Sequence, residues 1–203
     1  MRSGSRYRLA ALVSAVIVAS GTTGFVAGCG GSRGIQTGVS DDGTMTRTLS
    51  NSEVKLEGAM RYYGSGERDY VVEKQCFLDY RSCETASRKI KYEIVLTYVG
   101  VEELGIEPGR SLEFVADLNS HVLTAEAPGK RQRDPTGKSY TETLVYQVSS
   151  EQLLKISQAE SVRVIVNGRA GEVRGSFDEV NFAHLRSFVA ECVKPAAPGE
   201  PLR

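Results

Sequence analysis

The sequence predicts an α+β fold made mainly of antiparallel β-structure: one sheet-based domain of about six to eight strands, with a short helix and a C-terminal amphipathic helix packed on the sheet. Three observations lead there. Apolar residues recur at every second position in several segments of the middle of the chain. The dipeptide Asn167-Gly168 separates two such segments, and both residue types tolerate the positive φ of a tight hairpin. The last apolar segment then changes period, with Phe182, Leu185, Phe188, Val189 and Cys192 recurring three or four residues apart, as on one face of a helix.

Taken in order, the segments from Glu53 to Tyr63 and from Asp69 to Leu78 read as strands with imperfect alternation. The clearest strand follows: Ile90, Tyr92, Ile94, Leu96 and Tyr98 fall on one face, and Lys89, Lys91, Glu93 and Thr97 on the other. After the turn residues Glu107, Pro108, Gly109 and Arg110, segments 111–117 and 121–127 form the arms of a hairpin around Leu118 to Ser120. Tyr140 to Val148 is a further strand, with Leu144, Tyr146 and Val148 on one side. Ser149 and Gln152 make a capping-box pattern ahead of Leu153, Leu154 and Ile156, which predicts a short helix. Val162, Val164 and Val166 share a strand face, the Asn167-Gly168 turn follows, and the return strand covers about Glu172 to Phe177. Asp178 is suited to cap the final helix, whose stripe must be buried. Phe188 is therefore expected in the core and Arg186 in solvent.

The globular domain is bounded at residues 45–193. Ahead of it, residues 29–44 are rich in glycine and small polar types, which describes a flexible tether. Behind it, residues 194–203 contain Pro195, Pro198 and Pro201 and read as a disordered tail. Residues 1–28 have a different character: Arg2, Arg6 and Arg8 precede an apolar run from Leu9 to Ser20, too short to span a bilayer and of the length of a secretory h-region. Val26, Ala27, Gly28 and Cys29 close this segment. The string V-A-G-C resembles the lipobox of bacterial lipoproteins, and the resemblance covers the signal alone. It implies cleavage between Gly28 and Cys29, diacylglycerol in thioether linkage on Cys29, often palmitate or another acyl chain on the new amino group, and residence in the cell envelope. Gly30 in place of aspartate implies the periplasmic face of the outer membrane in a Gram-negative cell. Two or three acyl chains hold a protein stably, so the lipid suffices as its membrane partner.

Of 25 basic and 25 acidic residues, three arginines belong to the signal, which leaves a mildly acidic remainder. That balance argues against a nucleic-acid partner. The cluster Lys130, Arg131, Arg133 and Lys138 lies among glycine and proline and reads as a solvated loop. With Cys29 consumed, Cys76, Cys83 and Cys192 remain in a compartment that permits disulfides. Cys76 and Cys83 are the nearest candidates for a bridge, across a turn through Asp79 and Tyr80; a pair using Cys192, or three free thiols, are the alternatives.

No catalytic residue is assigned. There is no G-x-S-x-G elbow and no phosphate-binding G-x-x-x-x-G-K-S/T string. Asp117 and His121 flank a hairpin tip and suggest a surface contact, His184 lies on the final helix, and Glu102, Glu103 and Glu107 cluster by composition. Neither C-x-x-C spacing nor a His/Cys cluster offers metal ligands, and no cofactor is implied. Tyr62 and Tyr63 suggest a stacking platform, but with no tryptophan in the chain the tyrosines fit a core better. These features favour a tethered, non-catalytic binding or assembly module that meets an envelope protein or cell-wall component. An envelope hydrolase with a site assembled from distant residues and a small enzyme inhibitor are the alternatives.

Overall fold

The computed structural model describes residues 34–58, 61–63 and 70–193, with the backbone alone at 51, 61–63 and 70–72. The signal segment with Gly28, Cys29, the first part of the tether, the proline-rich tail and the side chains of Tyr62 and Tyr63 lie outside the described residues.

Twelve strands and two helices follow one another: β1 (Gln36–Val39), β2 (Met45–Leu56), β3 (Arg61–Tyr63), β4 (Tyr70–Val72), β5 (Lys74–Glu84), β6 (Ile90–Gly100), β7 (Gly109–Ala116), β8 (Asn119–Ala125), β9 (Lys130–Arg133), β10 (Tyr140–Val148), α1 (Ser150–Gln158), β11 (Val162–Gly168), β12 (Gly171–Ser176) and α2 (Glu179–Cys192). Every strand pairing is antiparallel, as expected. The expectation of a sheet with one covered face is corrected. Strands run β2-β12-β11-β7-β8-β10-β6-β5 and return to β2, an eight-stranded closed barrel, with β1 added beside β2, β9 beside β10, and β3-β4 apart as a small hairpin. Closure removes the two outer edges of the eight barrel strands, while the added strands β1 and β9 each pair on one side among the described residues.

Alternation explains how the barrel is filled. Across β5, β6 and β10, matched inward rows are Leu78, Leu96 and Leu144, then Tyr80, Ile94 and Tyr146. On the opposite wall Val166, Leu112 and Leu123 form one row, and Val164 lies beside Phe114. All are buried. Each such side chain contributes about 1.5–3 kcal/mol by leaving water, so this interior is the main source of stability.

Two narrow seams interrupt the ring. β12 meets β2 only at Gly175–Leu56 and Ser176–Lys55, and β8 meets β10 only at Thr124–Gln147. Beyond the first seam β2 bends at a bulge between Leu49 and Ser52, which lets Leu49, Ser52 and Val54 all face inward despite their odd spacing. Here α2 takes the place of a neighbouring strand. Asp178 caps the helix, Asn181 completes the capping box, and the Asn181 Nδ2 donates to Ser52 Oγ at 2.9 Å and to the Glu53 carbonyl at 2.7 Å. Further along, Leu185, Phe188 and Cys192 are buried and the Phe188 ring lies 5.8 Å from that of Tyr80. α1, with the expected Ser149/Gln152 capping box, packs on α2 at the same end of the barrel.

Three further expectations change. Residues 36–39 of the tether segment form β1 on β2, through backbone pairing of Gln36 to Val39 with Thr48 to Met45, where β12 does not reach. Residues 130–133 of the basic loop are strand β9, anchored on β10 through the pairs Lys130–Thr143 to Arg133–Tyr140. The hairpin after β11 turns at Arg169 and Ala170, two residues beyond Asn167-Gly168. Gly168 serves packing there: a Cβ on it would collide with the Leu104 carbonyl oxygen.

Candidate binding cleft at the barrel rim

The helices cover the barrel end where β5, β10 and β7 finish. The loop 101–108, between β6 and β7, covers the other. Its anchor is Glu142, on the inward face of β10 and fully buried. Glu142 Oε1 accepts from the Leu104 and Gly105 amides at 2.6 and 2.9 Å, and Oε2 from the Ile106 amide at 2.7 Å. A positive φ of 71° at Gly105 lets consecutive N–H groups converge on one carboxylate. The loop in turn holds the β11–β12 turn: the Arg169 and Ala170 amides donate to the Gly105 and Leu104 carbonyls at 3.1 and 3.0 Å.

Arg131 of β9 completes this end. Its Nε lies 3.5 Å from Glu142 Oε2, its Nη1 3.4 Å from Glu103 Oε1, and its Nη2 donates to the Ile106 carbonyl at 2.8 Å. A guanidinium so fixed is a positioned cation. Arg169 stands opposite, its Nε 3.3 Å from Glu107 Oε1, with both partners mostly exposed. Between them opens a cleft of about 530 Å³, lined by Ile106, Glu107, Pro108, Pro128, Gly129, Arg131 and Arg169. It exists because β8 and β9 are separated by a break at residues 126–129, after which β9 follows β10 and leaves β7 behind. Such an arrangement can hold an elongated ligand between apolar walls and two cations. The one carboxylate in its lining, Glu107, is paired with Arg169.

The other sequence candidates are dispersed. Cys76 and Cys83 belong to one continuous strand, with no turn at Asp79 and Tyr80; Cys76 faces the core and Cys83 the outside, so the expected bridge is replaced by free thiols, Cys192 included. Burial pushes the Cys76 thiol up to about 12, and raises Cys83 and Cys192 as well, which favours the neutral thiol in each. Asp117 is turned away from His121: its Oδ1 accepts from the Glu160 and Ser161 amides at 3.1 and 3.0 Å and joins two loops. His121 faces Lys155 and Glu151 of α1, and burial followed by the Lys155 charge holds its pKa below the usual imidazole value. Among the described residues no group of His, Cys, Asp and Glu is placed to hold a metal.

Sequence reasoning missed Glu142. The signal was available: it shares the parity of Leu144, Tyr146 and Val148, so an acid stands on the buried face of a clear strand. Arg169 was hidden by the misplaced turn. Comparison of the chain with protein-family models, with curated proteins and with solved structures finds no match.

Proposed function

We propose that this protein is an envelope lipoprotein, cut before Cys29 and held at the membrane by lipid on that thiol, whose barrel is a non-catalytic binding or assembly module for an envelope protein or cell-wall component. The observation that carries the binding role is the filled interior: Leu, Val, Phe and Tyr side chains occupy the barrel, so a ligand meets its outer surface and rims. Small-molecule barrels, by contrast, keep an internal cavity. The ionisable groups at the rim cleft are engaged in ion pairs, an arrangement for recognition more than for proton transfer. Support for the anchor comes from the charged start, the h-region and V-A-G-C in succession.

Two measurements test this. Labelled palmitate should mark the wild type and not Cys29→Ser, which should accumulate as the longer precursor; equal labelling of both ends the anchor proposal. Crosslinking of the native lipoprotein in its own envelope, followed by mass spectrometry, should capture a discrete protein or cell-wall fragment. Turnover of an envelope polymer by the purified protein would overturn the non-catalytic role.

A further inference from the structure

The two seams of the barrel are treated differently. At the β2–β12 seam, where β2 loses its neighbour, α2 fills the gap and Asn181 takes up the Glu53 carbonyl. At the β8–β10 seam, the corresponding space beside β9 is the cleft. Among the described residues β9 pairs with β10 and with no other strand, and all four of its residues are exposed. Its second edge therefore presents backbone N–H and C=O groups without strand partners, and a neighbouring extended chain is the ligand that satisfies such a row.

The walls restrict that chain further. Ile106, Pro108 and Pro128 offer apolar contact, and of the two guanidinium groups Arg131 is matched by Glu142 and Glu103 whereas Arg169 faces the single carboxylate of Glu107. Arg131 is committed through Nε, Nη1 and Nη2 to its neighbours. Arg169 differs: only its Nε approaches an acid, and it stands 64% exposed, so both Nη groups remain to grip a carboxylate in the forked manner that suits guanidinium. The Glu107 pairing is of the exposed kind that exchanges readily.

Building on the binding-module reading, we propose that the cleft beside β9 is a docking site for an extended acidic peptide segment of a partner protein, added as a strand to the outer edge of β9 with a side-chain carboxylate on Arg169. Glu107 occupies the place of that carboxylate until the peptide arrives. The exposed fork of Arg169 thus selects acidic over basic segments, and the edge selects extended backbone over helix.

The test uses the full mature lipoprotein in detergent micelles and a fluorescent, acetylated hexapeptide of alternating valine and glutamate, read by anisotropy. Binding should fall at least fivefold in Arg169→Gln, rise two- to threefold in Glu107→Gln, and fall at least fivefold when alternate peptide nitrogens are methylated on the edge that meets β9. Both side chains are largely exposed, and an unchanged melting temperature confirms that the variants are folded. Equal binding of the valine–lysine counterpart, or indifference to Arg169→Gln and to methylation, overturns the proposal. Self-association of the protein lost in Arg169→Gln would make a second copy the occupant, and competition by inorganic polyphosphate alone would make β9 and Arg169 a polyanion surface; either result overturns it too. A photo-crosslinker at Gln132 separates this failure from that of the broader role. Partners captured from crosslinkers elsewhere on the barrel but none at 132 would leave the binding module standing and remove the cleft.

Discussion

At the scale of single residues, Glu142 shows how much one buried carboxylate can organise. Three backbone amides of the loop 101–108 converge on it, and Arg131 balances its charge. Substituting Glu142→Gln keeps the shape but replaces one acceptor oxygen by an NH2 group that must oppose a backbone N–H. Leaving buried donors unpaired beside a charged arginine should cost about 3 kcal/mol, seen as a lower urea midpoint together with faster hydrogen exchange at Leu104, Gly105 and Ile106. An unchanged midpoint would mean that the loop is held by something else. Legibility at this scale was uneven for a physical reason. Caps depend on residues a few positions apart, so Ser149 with Gln152 could be read from the sequence, whereas the loop amides that meet Glu142 lie 36 to 38 positions away and depend on the ring being closed.

At the scale of elements, α2 is part of the barrel wall. Leu185 and Phe188 in the core and Arg186 at the surface were legible from helical spacing, but the Arg186 contacts were not: its Nε donates to the Ser157 carbonyl at 2.9 Å and its guanidinium lies 5.1 Å from the Phe182 ring, so it ties α2 to the end of α1. Phe188→Ala should lower stability by about 3–5 kcal/mol through lost transfer energy and a cavity. Arg186→Ala, although its side chain reaches the surface, should cost about 1–2 kcal/mol by leaving the carbonyl of a helix end unpaired and removing a cation–π contact. Denaturant unfolding of both measures this; an Arg186→Ala loss of under about 0.5 kcal/mol would return the residue to the solvent role its position suggested. Alternation failed to delimit β2 because the bulge between Leu49 and Ser52 shifts parity inside the strand. For the same reason the break between β8 and β9 made a strand look like a basic loop.

At the scale of the whole molecule, the core carries several weak acids kept neutral by burial. Burial pushes Cys76 and Tyr146 up to about 12; Tyr98 reaches about 12 through burial and then the nearby Glu142 charge, and Tyr80 is raised further still. A folded state that favours the protonated form is stabilised fully below the ordinary thiol and phenol values of 9.0 and 10.0 and loses that stability as the pH rises from there to about 12. The melting temperature should therefore be level between pH 8 and 9 and drop by about 5 °C or more by pH 11. Tyr146→Phe, which has no phenol to ionise, should show a shallower drop from a lower starting point, since its bond to Ser111 is lost. A level profile to pH 11 would contradict the burial of these groups.

The narrow seam between residues 55–56 and 175–176 also sets an order in time. An exported chain emerges N-terminus first, so β2 appears before any other barrel strand and β12 after all of them. Between those two moments β2 has an edge of the kind that recruits neighbouring chains, and pairing across so long a stretch is slow to form. Emerging copies crowded together are thus at their most adhesive just before completion. A chain that stops short of Gly171 keeps that adhesive edge permanently, so nonsense products of this gene should accumulate as aggregates even when every earlier strand is intact.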